Sequence, residues 1–521
     1  MGWVRRLVGV LVGAAGACAS SYVAAADREG TAIQAEKAGV VETFRARGLV
    51  DPGRPPAARA KEAPPVEVPA VLTVANAVKI ATAHNRDYQT RREAFFLTAL
   101  NLGLVRRDFT RFVFDGTLSY DATDVRHANL TDVSALAVSG TRILPWGGTL
   151  TVGSDGALSH DAGTGGRDQN STVSGSVSIT QPLLRGAGRE VTLAPLTQAE
   201  RDAVYAARDF ELFRQRFAVT ILQDYYGLVS QKKGLANRRA NVLNQERAWK
   251  QAQALFLQRR GTQVDVFRAE QSFLRAQNGL LDQEQGYRLA LDRFKIQLGL
   301  PTDVEFDVGD EFPAYREIDF DAAAAVGASL HNRLDLLTSR DRVEDAARAA
   351  RVARNELLPD LDLDASYSIG SDPSGSFRSL SFPDDTVAFG VTLGIPLDRK
   401  AARNAHRASL IGLEQAKRAL RQTEDSVVVE VRDALRGVRR QKSEIELERR
   451  RIESLKRSVR RATLENVFLE ASNRDVVEAL EQLTEAENGL LDLYVAYEIA
   501  RLTLLQQLGV LFVDKEGAIA Q

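Results

Sequence analysis

The chain repeats itself, and the repetition limits the folds open to it more than any single motif does. At an offset of 247, His84-Asn85-Arg86 recurs as His331-Asn332-Arg333, and Tyr120 recurs as Tyr367. At an offset of 210, Asn278-Gly279-Leu280-Leu281-Asp282 recurs as Asn488-Gly489-Leu490-Leu491-Asp492, with Asp265 matched by Asp475, Tyr287 by Tyr497 and Leu298-Gly299 by Leu508-Gly509. Two tandem copies explain both offsets, and the change of offset places extra chain in the middle of copy one. The expected organisation is copy one over residues 72–310, copy two over 311–510 and a short tail at 511–521.

Each copy reads as helix, strands, long helical pair. Leu72 to Arg111 and Phe320 to Leu358 carry apolar residues at helical spacing, the second ending before Pro359. The period then drops to two. Phe112, Phe114, Leu118 and Tyr120 alternate with Val113, Asp115, Thr117 and Ser119, and Val173, Val177 and Ile179 alternate with Ser174, Ser176, Ser178 and Thr180. In copy two Leu361, Leu363, Ala365, Tyr367 and Ile369 alternate with Asp362, Asp364, Ser366 and Ser368, and Val387, Phe389, Val391, Leu393 and Ile395 alternate with Ala388, Gly390, Thr392 and Gly394. A further hairpin in copy one is possible over Leu136 to Leu158, turning at Pro145-Trp146-Gly147-Gly148.

Each run is about as long as the 9 to 11 residues a tilted strand needs to cross a bilayer. Two clear strands per copy do not make a stable sheet alone. Strands from several subunits could close one barrel, apolar side to lipid and polar side to water, with no edge left unpaired in hydrocarbon. The alternative is a small soluble hairpin decorating helices.

Leu183 to Leu300 and Leu397 to Leu508 contain few helix breakers. An arm of about 70 residues at 1.5 Å rise would extend roughly 100 Å and needs partners along its length. Phe210, Phe213, Phe217, Ile221, Tyr225 and Leu228 form one apolar face for such packing. The Arg-rich stretch from Arg432 to Arg461 is interleaved with Glu444, Glu446, Glu448 and Glu453, which reads as a solvated helix face rather than a polyanion site. The charge balance, 68 Lys and Arg against 69 Asp and Glu, also argues against a nucleic-acid binder. With 44% hydrophobic and 26% charged residues, neither wholesale disorder nor a polytopic helical membrane protein fits.

Residues 1–26 read as an export signal: Arg5 and Arg6, the apolar Leu7 to Ala17, and Ala24-Ala25-Ala26 as a cleavage site. Cys18, the only cysteine, follows Ala15-Gly16-Ala17, which loosely resembles a lipoprotein box; it is either lipidated or discarded with the signal. Residues 27–71, with Pro52, Pro55, Pro56, Pro64, Pro65 and Pro69, read as a charged linker with a short helix around Ala35 to Ala46. Enzymatic readings find little support, since the five histidines are scattered and no nucleophile, zinc-protease or phosphate-loop motif is present. No cofactor or metal site is expected.

Gln181-Pro182-Leu183-Leu184-Arg185-Gly186-Ala187-Gly188-Arg189, directly after a strand, closely resembles the strand-to-helix junction of TolC-family outer-membrane efflux proteins, and Ile395-Pro396-Leu397 resembles the same junction in copy two. The resemblance spans about residues 72–510. It implies a mainly α fold with transmembrane β: long antiparallel helical hairpins forming an α-barrel, and four strands per subunit forming a 12-stranded barrel shared by a homotrimer. Asn85 and Asn332 lack the Pro that commonly follows in the family. The resemblance also makes Phe256 to Asp265 and Val467 to Asp475 the two helix-helix turns at a periplasmic entrance, where a periplasmic adaptor docks on Arg259, Arg260, Gly261, Thr262, Ala471, Ser472, Asn473 and Arg474. Gly261 can take turn angles closed to other residues, and Ala471 departs from the usual Gly. Asp475 and Glu478 stand where the family places the acids of the pore constriction; alternatively Asp475 caps or charges the start of the returning helix, as Asp265 would in copy one.

The implied function is a passive trimeric exit duct, seated in outer-membrane lipid with its helices in the periplasm, working with an adaptor and an inner-membrane transporter in efflux or type I secretion, and binding no nucleic acid. The alternatives are a non-conducting coiled-coil envelope scaffold and an Arg-rich polyanion binder. The cargo is not legible.

Overall fold

The computed structural model describes residues 19–43, 68–124, 130–163, 166–313, 315–318, 320–373, 380–467, 473–514 and 519–520. The chain divides into two compact units, one of Met1–Gln34, Phe96–Ala206 and Thr338–Arg421, the other of Ala35–Phe95, Ala207–Leu337 and Gln422–Gln521. Among the described residues no helix is long and apolar enough to cross a membrane.

Helix α1, Ala19–Thr43, covers part of the expected signal and linker. Ile33 packs with Ala99, Leu102, Ala199 and Ala203. Gly30 lets the helix approach closely, since a Cβ there would meet the Phe96 ring at 2.7 Å. Cys18 and residues 44–67 lie outside the described residues.

The first repeat helix is two helices: α2, Val74–His84, and α3, Arg86–Thr110. Asn85 makes the break, because its Oδ1 accepts from the Tyr88 N–H at 2.8 Å and starts the second helix. Its Nδ2 donates to the Gln297 carbonyl at 2.7 Å. The long helices of copy one are α4, Ala194–Leu257, and α5, Gln263–Leu298. Copy two repeats the plan with α6, Ala322–Asn332, α7, Leu334–Asn355, α8, Lys400–Val467, and α9, Asn473–Gln507.

The repeated residues now have a reason. Gly299 ends α5 at φ 77°, in the left-handed region, and a Cβ on it would stand 2.2 Å from the His84 carbonyl oxygen. Gly509 sits at φ 69° with its missing Cβ 3.0 Å from Asn332. His-Asn and Leu-Gly recur together because they meet.

In the second unit the face anticipated on α4 is buried: Phe210, Ile221, Tyr225 and Leu228 are at most 3% exposed. Tyr88 sets its ring against Phe210, Phe213 and Phe217 at 5.7, 6.0 and 5.2 Å. Copy two builds the matching core from Val427, Val431, Leu435, Val438 and Ile445 of α8 with Tyr497, Leu504 and Leu508 of α9. Two short strands, β1 (Val71–Leu72) and β6 (Asp307–Val308), pair in parallel, and the Tyr225 hydroxyl donates to the Leu72 carbonyl at 3.0 Å.

The first unit holds the sheet. Its strands are β2 (Val113–Asp124), β3 (Leu130–Ile143), β4 (Thr149–Gly163), β5 (Gly166–Pro182), β7 (Asp360–Gly370) and β8 (Asp384–Gly394), antiparallel throughout in the order β2-β3-β4-β5-β7-β8. The register lines up one apolar row, Phe114, Gly140, Val152, Val177, Tyr367 and Val387, and beside it a polar row, Asp115, Ser139, Gly153, Ser176, Ser368 and Thr386. This corrects the expectation of four strands per chain: among the described residues the sheet has six. The hairpin suggested over Leu136 to Leu158 is a full pair of strands inserted between β2 and β5, which accounts for the extra length of copy one.

Candidate functional site

Three places bear on function, and each is built from local rules. The strand-to-helix junction follows β5. Pro182 cannot donate to the ladder, and the next amide, Leu183 N–H, donates instead to the Leu361 carbonyl at 2.7 Å. Asn355 clamps the loop, its Oδ1 accepting from Gly186 N–H at 2.8 Å and its Nδ2 donating to the Leu184 carbonyl at 3.2 Å. Arg185 pairs with Asp360 at 2.5 Å. Gly186 and Gly188 hold φ of 78° and 98°, which only glycine adopts without strain. The β3–β4 turn docks here: the Trp146 carbonyl accepts from Gly188 N–H at 3.1 Å and from Gln181 Nε2 at 3.2 Å. In copy two the Arg399 guanidinium donates back to the Pro396 carbonyl at 3.3 Å.

The first helix-helix turn spans residues 258–262. Arg260 N–H donates to the Leu255 carbonyl at 2.8 Å and Arg259 N–H to Phe256 at 2.9 Å, closing α4. The left-handed position is Arg259, at φ 57°, and not Gly261, whose added Cβ would make only ordinary contact, 3.5 Å from Leu255. The role foreseen for Gly261 therefore falls to its neighbour two residues earlier. Thr262 caps α5: its hydroxyl accepts from Asp265 N–H while the Asp265 carboxylate accepts from Thr262 N–H at 3.2 Å.

The second turn is only partly described. Ala471 and Ser472 lie outside the described residues, and Asn473 and Arg474 open α9. Asp475 and Glu478 are exposed on the first turns of α9. Glu478 and Glu481 line a cleft of about 440 Å³ whose other wall, on α5, carries Asp265, Arg268 and Arg275. The sequence reading missed Arg268, Arg275 and Glu481, although the seven-residue step between the arginines and the three-residue step between the glutamates put each pair on one helix face. The Arg-rich stretch of α8 pairs within its helix, Arg440 with Glu444 at 3.7 Å and Arg451 with Glu448 at 3.2 Å, and Lys456 reaches Glu487 of α9 at 3.4 Å.

Residues 325–510 match the family model described as outer membrane efflux protein. Solved structures with this fold include the outer membrane protein VceC of Vibrio cholerae, 15% identical over 84% of this chain and 96% of that one, with a TM-score of 0.63. The CmeC outer membrane channel of Campylobacter jejuni is 14% identical over 88% and 93%, with a TM-score of 0.63, and the open MtrE outer membrane channel of Neisseria gonorrhoeae is 11% identical over 88% and 97%, also at 0.63. No curated protein matches the sequence. The family match lies within the second copy and the shared fold extends over most of the chain, in agreement with the TolC-family resemblance of the junction motif.

Proposed function

We propose that the chain is the passive outer-membrane exit duct of a tripartite efflux or type I secretion system. Three copies join through their sheets in outer-membrane lipid, and the long helices line a tunnel through the periplasm. The observation that carries this reading is the two-faced sheet: Phe389 is 80% exposed and Val391 69%, beside a face of Ser, Thr, Asp and Gly. An apolar row of that kind is costly in water and stable in lipid. A poreless envelope scaffold gives no reason for it.

In this reading the turns around Arg259, Arg260, Gly261 and Thr262 and around Ala471, Ser472, Asn473 and Arg474 receive the periplasmic adaptor, and an inner-membrane transporter supplies the energy and selects the cargo. Asp475 and Glu478 from three copies would ring the entrance, where like charges repel and cations are favoured. Adaptor docking spreads the turns and widens that ring.

The test compares wild type with Asp475→Ala/Glu478→Ala by planar-bilayer recording. Openings that grow and lose cation preference in the variant support the gate. Openings identical in both proteins would remove these two residues from it while leaving the duct in place.

A further inference from the structure

We infer that three copies of this chain close an 18-stranded barrel rather than a 12-stranded one, with the β3–β4 hairpin as a structural part of the wall. The inference rests on the trimeric duct proposed above and goes beyond it in the number of strands, the surfaces that join the copies and the bore.

The hairpin is seated in the sheet along its whole length. Twelve residue pairs join β2 to β3, from Val113↔Thr141 to Asp124↔Leu130, and β4 pairs with β5 from Thr149↔Thr180 to Gly163↔Gly166. The Phe114 ring of β2 lies where a Cβ of Gly140 on β3 would stand, 2.6 Å away, so the glycine admits an aromatic from the neighbouring strand. The turn at the other side of the hairpin is tied to the Gln181–Gly188 junction by the two bonds to the Trp146 carbonyl. The hairpin also keeps the two faces of the sheet. Leu136, Val138 and Val152 continue the exposed apolar face of Leu118 and Phe114, while Ser139 and Asp155 fall on the polar one.

Six strands leave two edges. Among the described residues β2 and β8 pair on one side only. An unpaired ladder cannot remain in hydrocarbon, and six strands are too few to close on themselves. The occupant that satisfies both edges is a second copy, with β8 of one chain against β2 of the next. The strand lengths match, 11 residues against 12, and the even count makes that joint antiparallel like every other in the sheet. At a strand spacing near 4.8 Å and a tilt near 40°, 18 strands give a backbone radius of about 18 Å, against about 12 Å for 12 strands. The membrane part is then about half again as wide.

The experiment places single cysteines at Leu136, Val138 and Val152 in the hairpin, at Ala137 and Ser139 on its other face, and at Leu118 and Phe389 on β2 and β8. The full-length protein is labelled with a bimane fluorophore and reconstituted in vesicles containing bromine-tagged acyl chains, and its copy number is measured by native mass spectrometry. Every variant carries Cys18→Ser, which removes the one native thiol. Three copies, with quenching at Leu136, Val138 and Val152 as strong as at Leu118 and Phe389 and weak at Ala137 and Ser139, establish 18 strands. Quenching at Leu118 and Phe389 but at none of the hairpin sites would overturn the 18-stranded wall and leave the duct standing. Absence of quenching at all seven sites would overturn the duct itself. Two copies rather than three would overturn the count.

Discussion

The Phe114 ring covers Gly140 on the adjacent strand, at a distance that leaves no room for a Cβ. The pair stands in the apolar row that runs across all six strands, so it reports directly on whether β3 belongs beside β2.

Gly140→Val forces the ring off its neighbour, and overpacking of this kind costs about 1–3 kcal/mol. The expected outcome is a lower thermal midpoint for the folded oligomer on heat-shift gels. Adding Phe114→Ala to Gly140→Val should recover part of the loss, and failure to recover would mean that the ring is not what the new side chain meets.

The two helix-end glycines should respond alike. Gly299→Ala drives a Cβ against the His84 carbonyl from a left-handed backbone, and Gly509→Ala does the same against Asn332. Each should destabilise by about 1–3 kcal/mol, read by chemical denaturation, with Gly299→Ala the worse because its contact is shorter, 2.2 Å against 3.0 Å. A Gly→Ala change at Gly437, where nothing lies within 4 Å, serves as the control.

At the first entrance turn the ranking departs from what glycine position alone suggests. Arg259→Gly relieves a left-handed arginine and should stabilise the turn by about 1 kcal/mol, whereas Gly261→Ala should be nearly neutral. Thr262→Ala removes one half of the reciprocal cap and should cost about 0.5–2 kcal/mol. Hydrogen exchange of the amides after residue 262 distinguishes the three.

A pH dependence follows from Asp335. Burial opposes its ionisation, but the Arg333 guanidinium, 2.6 Å away and also bonded to Glu430, outweighs it and holds the carboxyl below its ordinary value. A depressed carboxylate contributes stability above its unfolded value near 3.9 and loses it as pH falls through the folded value. Acid unfolding of wild type should therefore steepen below about pH 4. Asp335→Asn should be less stable at neutral pH and lose that component of the acid slope.

Much of this was legible because residue types contrasted. Val387 to Ile395 alternates large apolar residues with Ala, Gly and Thr, so both the strand and its two faces could be read directly. The β3–β4 hairpin was fainter because its rows mix Ala135, Ser139, Gly140, Gly153 and Gly156, small residues that blur the alternation, and only the register against β2 and β5 makes the faces plain. Helix α1 buries Gly30, Ile33, Gln34, Lys37 and Ala38, a helical stripe whose period is hidden in the sequence because two of its members are long polar side chains. The entrance turn misled because glycine preference is a property of a residue, whereas Arg259 is left-handed through the closing bonds of α4. The Thr262–Asp265 spacing, by contrast, is a helix start that residue chemistry alone specifies.

The most direct test of the duct is single-channel recording of the detergent-purified full-length protein in a planar bilayer. Discrete, long-lived conductance steps from the folded oligomer are the predicted result. A folded oligomer that inserts and never conducts, closed or spread by adaptor, would contradict the account and return the chain to a structural role in the envelope.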